Sequence, residues 1–419
     1  MRVLWFTGNL LPAMLRQAGK DDKAAEPWVA QLAGHISGQN GIELGIATAF
    51  AGFPEMCFKE QGISYFVVPQ PRRFSASGMR WKDLRKCAAI IERFQPDIIH
   101  IHGSERFFGM TRAAGLTHVP TLVSVQGLLG PFSMARHFFG TLSPMEIIKS
   151  IRLIELPIRY GIAWHYFDMK MAARREARIL RAVDGFLGRT EWDRAHCRAT
   201  RPDMTYYDVG EILRPVFYEK RWSLEHCDRH TIIYTNAGQP RRGTENLLAC
   251  VALLRKEFPD IRLRLGGRIS TRSGYGRFIR RRIKTLGLED RIDFLGYIDD
   301  ATMVRELVRT HVFAITSYIE NSPNSLGEAM LVGMPCVASF VGGIPSMVRD
   351  GETGMLYPVE DVPMLAEKIR SLFLDDDLAV RLGANAHNIA RRRHDPDVVV
   401  AELMTAYHMI LATRSTRPQ

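Results

Sequence analysis

The chain is expected to fold as two α/β domains, each built on a doubly wound parallel sheet. Three observations lead there. Its 419 residues exceed what one ordinary core encloses. Short apolar runs ending in glycine alternate with amphipathic helical stretches, the pattern of a parallel sheet covered on both faces. That pattern lapses in a less regular stretch, PDMTYYDVGEILRPVFYEKRWSLEHCDRH, and then restarts. The expected boundaries are 1–212 for the first domain, 213–229 for a linker and 230–395 for the second domain.

In the first half, RVLWFTG reads as a buried strand, followed by a polar loop through Lys20-Asp21-Asp22-Lys23. PWVAQLAGHIS places Trp28, Val29, Leu32 and Ile36 on one helical face. GIELGIATAF and ISYFVVP are further strands, WKDLRKCAAIIERF is a helix, and DIIHIHG and VPTLVSVQG are strands again. Ligands of such sheets sit at the carboxyl ends of the strands. Gly8, His102, Gly103, Gln126 and Gly127 occupy those ends and outline one rim, although each alone is more often an ordinary loop residue.

Residues 131–181 differ, with nine basic side chains against four acidic ones among large apolar residues. Two readings stand: a basic amphipathic surface resting on anionic lipid, or helices crossing under the sheet with a solvated basic face. VDGFLGRTEWDRA then gives a strand and a helix opened by Thr190, with Arg189 as a candidate anion or acceptor contact.

The second half repeats the scheme. TIIYTNAG is a strand, QPRRG a basic turn, TENLLACVALLRKEF a helix, and IRLRLGG, RIDFLGY and HVFAITS are strands. Arg241, Arg242 and Gly243 fall at a strand's carboxyl end, where guanidinium groups could clamp a diphosphate. Solvated surface is the competing reading. YPVEDVPMLAEKIRSLFLD and PDVVVAELMTAYHMIL are closing helices. The acidic run Asp375-Asp376-Asp377 is expected to cap a helix, and no metal constellation is evident.

The stretch SYIENSPNSLGEAMLVGMPCVASFVGG concentrates the chemistry. Ser322 as cap and Pro323 at the first helical position open a helix, and Gly333 closes it. Glu320 precedes the helix and Glu328 lies inside it. Between them the amides of Asn324, Ser325 and Leu326 form a positive helix end suited to phosphate. Carboxylates accept hydrogen bonds only, so the two glutamates suit sugar hydroxyls. A plain strand–helix–strand unit with solvated glutamates is the alternative.

Composition sets the outer limits. Apolar content of 46% and charged content of 24% are globular values, against a disordered chain. The formal net charge is +11, most of it in the first half, which suggests an anionic partner or simply a basic protein. Six scattered cysteines without a CxxC pair argue for a reducing compartment and no structural zinc. The apolar start, broken by Gly8-Asn9 and Pro12, reads as a strand rather than a signal segment, and no transmembrane run is found.

Taken together, Glu320-x7-Glu328 within ENSPNSLGEAMLVGMPCVASFVGGIPSMVRDGETGMLYP, with FQPDIIHIHG, VPTLVSVQG, LRLGG and RIDFLGY, resembles the retaining GT-B glycosyltransferases of group 1, family 4. GRTEWDRA and GEILRPVFY resemble the branch that builds surface polysaccharides. The resemblance implies two Rossmann-like domains facing a cleft, with helix 396–412 packed back on the first. It implies a nucleotide-diphosphate sugar as donor, a glycan or lipid-linked glycan as acceptor, no cofactor and no required metal. It assigns Glu320 to the transferred sugar, Glu328 to the ribose, and Arg242, Arg241, Gly243, Pro323, Asn324, Ser325 and Leu326 to the phosphates. Tyr297, Gly8, His102 and Gln126 complete the expected site.

Two departures stand out: the family's loop arginine is missing near Asn236-Ala237, with Arg242 where a lysine is usual. Gln126 replaces a common histidine and cannot carry a proton. The expected setting is cytoplasmic, with peripheral contact to anionic membrane and no nucleic acid. The competing functions are a sugar-nucleotide epimerase or phosphorylase on the same fold, and a non-catalytic basic binding protein.

Overall fold

The computed structural model describes residues 1–21, 27–71, 78–151 and 161–415. Asp22 and Lys23 of the expected polar loop, and residues 152–160 of the basic-apolar segment, lie outside them. The chain divides into two units: Met1–Gly130, Asp168–Ile212 and His394–Gln419 form the first, and Pro131–Phe167 with Leu213–Arg393 the second.

The first unit is built on β1 (Arg2–Thr7), β2 (Glu43–Ala51), β3 (Met56–Glu60), β4 (Ile63–Gln70), β5 (Ile98–His102), β6 (Thr121–Ser124), β7 (Gly185–Gly188) and β8 (Thr205–Asp208). They form one 8-stranded sheet in the order β3-β4-β2-β1-β5-β6-β7-β8. All pairings are parallel except β3 with β4. Two strands escape the sequence pattern. Met56–Glu60 is an edge strand with no fully buried residue, so it lacks an apolar run. Thr205–Asp208 hides in the irregular stretch, which therefore extends the first sheet before leaving it. The short helix Pro12–Gln17 follows β1, where a loop was expected.

The helix Pro396–Ser415 belongs to this unit. Val399, Leu403 and Tyr407 join Val3, Trp5 and Ile98 in one buried cluster. Trp5 Nε1 donates to the Tyr407 hydroxyl at 2.9 Å, and that hydroxyl lies 2.7 Å from His100 Nδ1.

The second unit carries β9 (Asp228–Tyr234), β10 (Arg262–Gly266), β11 (Ile292–Gly296), β12 (Thr310–Ile315), β13 (Cys336–Ser339) and β14 (Met355–Tyr357). Its 6-stranded sheet has the order β11-β10-β9-β12-β13-β14 and is parallel throughout. The stretch after Ile212 is packed rather than loose: Phe217 and Trp222 are buried in this unit's core. Trp222 Nε1 donates to the Thr310 carbonyl at 2.8 Å.

Part of the basic-apolar segment also belongs here, because Phe139, Leu142 and Ile147 pack on the same core. The basic helix Gly274–Leu286 was not singled out from sequence. Its buried side, Tyr275, Ile279 and Ile283, has helical spacing, but five cations obscure it. At the acidic run, Asp375 Oδ1 accepts from the Leu378 amide at 2.9 Å, the capping role expected of it.

Candidate active site

In each sheet the chain crosses from one side of its first strand to the other, a reversal between β1 and β5 in the first unit and between β9 and β12 in the second. Ligands of open α/β sheets bind outside the carboxyl ends of the strands at such a reversal. All the expected site residues but Tyr297 gather at these two places, and each place is described by itself.

In the second unit, β9 leads to the turn Pro240–Arg242 and β12 leads to Thr316–Glu320. Arg242 and Glu320 form an ion pair, with side chains only 12% and 8% exposed. The loop is fastened on every side. Ser317 Oγ donates to Glu320 Oε1 at 2.8 Å, and Ser339 Oγ donates to the Ser317 carbonyl at 2.7 Å. The Arg242 carbonyl accepts from the Tyr234 hydroxyl at 2.9 Å and from Thr316 Oγ1 at 3.0 Å.

Two glycines are required by this closeness. Gly243 has φ +62°, and a Cβ there would collide with the Thr316 carbonyl. Gly342 has φ +51°, and a Cβ there would strike the Glu320 carbonyl, which accepts from the Gly343 amide at 3.0 Å. Burial and the neighbouring Arg241 charge pull the Arg242 pKa down to about 10, so it stays protonated at neutral pH. Its Nε is buried with no partner among the described residues, one guanidinium donor left unspent.

The helix Asn324–Val332 starts one residue later than expected. Pro323 is its N-cap, with φ −70° and ψ 119°, and Ser322 does not cap it. Ser322 Oγ instead lies 3.6 Å from Met347 Sδ. The Leu326 amide donates to the Pro323 carbonyl at 3.0 Å, so it is not a spare donor for phosphate. Gly333 closes the helix in the left-handed region at φ +81°.

Glu328 is 3% exposed and held by Arg214, to which the segment GEILRPVFY gives no role from sequence alone. Arg214 Nε and Nη2 donate to its two oxygens, both at 2.7 Å, in a fork. Arg214 also pairs with Asp300 and lies over the Phe217 ring, 4.6 Å from its centroid.

Arg241 turns away from the pair: its Nε donates to Gln239 Oε1 at 2.8 Å, and its guanidinium lies 5.7 Å from the Phe132 centroid. Tyr297 follows the edge strand β11, away from the β9–β12 reversal, and is 88% exposed. Behind the loop, the buried carboxylate of Glu245 accepts from Thr141 Oγ1 at 2.8 Å, Tyr275 at 2.6 Å and Tyr318 at 3.0 Å. It thereby fixes Tyr318, two residues before Glu320.

In the first unit, Thr7 of β1 lies opposite His102 of β5, so Gly8 and His102 flank the reversal directly. His102 is 5% exposed, its ring edge-on to Trp5 at 4.5 Å and 3.9 Å from His100. Burial, then the nearby Arg189 charge, lower its pKa to about 3, so it is neutral at physiological pH. Neither ring nitrogen has a partner among the described residues. With Gln126, Ser124 and Glu211 it lines a cavity of about 20 Å³, room for a single water.

Gln126 Oε1 accepts from Arg189 Nη2 at 2.5 Å. Arg189 is ion-paired with Glu211, the two side chains 7% and 5% exposed, so it is not the open anion contact expected of it. Gly8 packs against Arg106, whose Cγ would lie 3.2 Å from an added Cβ.

Two further carboxylates stand at this edge, and no motif in the sequence marks them. Burial pushes Glu105 and Glu176 up to about 7. Glu176 accepts from Ser104 Oγ at 2.6 Å and from the Gly130 amide at 3.1 Å. Among the described residues no group of three or more His, Cys, Asp or Glu is arranged to hold a metal ion. No helix among them is long and apolar enough to cross a membrane.

Comparison with known proteins agrees with this layout. Phosphatidyl-myo-inositol mannosyltransferase of Mycobacterium leprae is 32% identical over 178 residues, 42% of this chain and 46% of that protein. N-acetyl-alpha-D-glucosaminyl L-malate synthase of Bacillus anthracis is 31% identical over 129 residues, 31% of this chain and 33% of that protein. The matched stretches thus span less than half of these relatives. Among solved structures, sucrose-phosphate synthase from Thermosynechococcus elongatus aligns with TM-score 0.73 at 18% identity, covering 99% of this chain and all of that one. Anabaena Alr3699/HepE in complex with UDP aligns with TM-score 0.68 at 15% identity, covering 98% of this chain and all of that one.

Both units are thus Rossmann-like parallel-sheet domains of the kind found in GT-B glycosyltransferase structures. Residues 29–207 match the family model "Glycosyl transferase 4-like domain", and residues 217–389 match "Glycosyl transferases group 1". The chain therefore carries a glycosyl transferase 4-like domain followed by a glycosyl transferases group 1 domain.

Proposed function

We propose that the protein transfers a sugar, with retention, from a nucleotide-diphosphate sugar to a glycan or lipid-linked glycan acceptor. The observation that carries this reading is the buried Arg242–Glu320 pair at the chain reversal, beside the start of the Asn324–Val332 helix. The bond between the anomeric carbon and the diphosphate breaks, its electron pair leaving on the phosphate oxygen. A bond from an acceptor hydroxyl to the same carbon forms on the same face, and the hydroxyl proton passes to the leaving phosphate.

Arg242 offers its unspent Nε–H and its charge to the oxygen where negative charge develops. Ser325 and the helix start hold the phosphates, Glu320 holds the sugar hydroxyls, and Glu328, oriented by Arg214, holds the ribose. His102 and Gln126 stand on the acceptor side, where neutral groups bind hydroxyls without moving protons. The negative charge of a bound diphosphate is countered by the protein's own arginines, and the reading is written without a metal step. A lipid-linked acceptor is consistent with the name of the mycobacterial relative, and a uridine nucleotide with the UDP bound by HepE. The proposed setting is the cytoplasmic face of the cell membrane, in surface-polysaccharide assembly.

Incubation with UDP-, GDP- and ADP-sugars and a panel of acceptors tests the reading. Release of nucleoside diphosphate together with a new glycosidic bond is expected. An isomerised sugar nucleotide, or phosphate-dependent cleavage, would replace it with an epimerase or a phosphorylase.

A further inference from the structure

The helices Pro144–Ser150 and Gly274–Leu286 of the second unit pack on each other. Their approach is close: a Cβ on Gly274 would lie 2.5 Å from Ser150 Cα. Between them runs an open groove of about 530 Å³, lined by Glu146, Lys149, Phe278, Arg281 and Arg282 among others.

The charges of this surface are one-sided. Gly274–Leu286 holds five cations and no carboxylate. The two acidic residues that line the groove are already engaged. Glu146 Oε2 accepts from the Ser143 amide at 2.8 Å in a capping box, and Glu245 takes three hydroxyl donors behind the loop. Lys149, Arg281, Arg282 and Lys284 are exposed and have no carboxylate partner among the described residues. On the helix that carries Lys149, two large apolar side chains at helical spacing with each other, Met145 at 58% and Ile148 at 63%, face solvent. Ile147 of the same helix packs on the core.

We propose that this composite face is a docking surface for an anionic lipid bilayer. Met145 and Ile148 enter the interface, and Lys149, Arg281, Arg282 and Lys284 meet the headgroup phosphates. Charge complementarity favours an anionic partner. The apolar tips favour lipid over nucleic acid, whose backbone offers them nothing. The basic-apolar stretch visible in sequence thus supplies only part of the surface; the larger share of its charge comes from a helix more than a hundred residues later. This inference extends the lipid-linked acceptor reading, yet vesicle binding and sugar transfer fail separately.

The test is flotation of the full chain with vesicles of phosphatidylcholine alone and of phosphatidylcholine mixed with phosphatidylglycerol, at low and high salt. The protein is expected to float with the mixed vesicles only, and less at high salt. R281E/R282E is expected to lose about twenty-fivefold or more of that binding, at roughly fivefold per cation. M145S/I148S is expected to lose binding at high salt, where the charges are screened. Matching thermal melts show that both variants are folded, and R281Q/R282Q repeats the measurement without charge reversal. E320Q is expected to float like the wild type while failing in transfer.

No flotation of the wild type with anionic vesicles would overturn the proposal. So would variants that float unchanged, or binding to neutral vesicles alone. Binding of a DNA duplex that R281E/R282E abolishes, without flotation, would assign the face to nucleic acid.

Discussion

Buried charge dominates the chemistry at the scale of single residues, and each buried charge has a stated environment. Glu176 is raised to about 7 from a usual 4.5. Between those values the folded chain holds a proton that the unfolded chain has lost, so stability falls as pH rises through that window. Glu176→Gln cannot ionise and lacks that slope. The variant should therefore gain melting temperature relative to the wild type between about pH 5 and pH 8; a constant difference would refute the assignment. His102 acts in the opposite sense, since at about 3 it resists the proton that an unfolded histidine takes up near 6.5, and its contribution is lost as pH falls.

Arg214 is the other residue to test. Removing it in Arg214→Ala leaves Glu328 buried without its fork. A loss of about 3–5 kcal/mol in urea unfolding is expected, with a raised KM for the donor. Unchanged stability and KM would show that the fork is incidental. Glu320, Glu328 and Arg242 were legible in sequence because they lie within short motifs beside glycines. Arg214 was not, because its partner lies 114 residues away. Glu176 sits in a basic helical stretch where a carboxylate looks like one more solvated charge.

At the scale of elements, the loop after β12 is fixed by backbone contacts that exclude side chains. Gly342→Ala would place a Cβ against the Glu320 carbonyl at φ +51°, with strain of about 1–3 kcal/mol before the collision is counted. It should displace Glu320 and abolish transfer while the rest of the sheet stays intact. Far-ultraviolet circular dichroism with a turnover assay checks this, and wild-type activity would mean that the loop is adaptable. The long apolar strands and the helix Trp81–Phe94 were readable because their periodicity is undisturbed. The edge strand Met56–Glu60 and the basic helix Gly274–Leu286 were not, the first for want of a buried run and the second because charge overlays its apolar stripe.

At the scale of the whole molecule, the two-domain division followed from the restart of the alternating pattern, but its seams did not. Phe139, Leu142 and Ile147 pack on the second unit's core although they follow strands of the first, whereas the return of the last helix to the first unit is what the family resemblance implied. Such exchanges depend on long-range packing that local periodicity does not encode. The closing helix is held through Tyr407, whose hydroxyl joins Trp5 and His100. Tyr407→Phe leaves both partners buried and unsatisfied, and about 1–3 kcal/mol of stability should be lost in thermal or urea unfolding. No change would show that apolar packing alone holds the helix. Both the donor chemistry and the roles of the surrounding residues depend on sugar leaving a nucleotide diphosphate at the Arg242–Glu320 pair. The decisive comparison is turnover of the best donor by the wild type and by Glu320→Gln, at matched folded fraction. A loss of roughly 10²–10³ in kcat is expected. Transfer at the wild-type rate by the variant would contradict it.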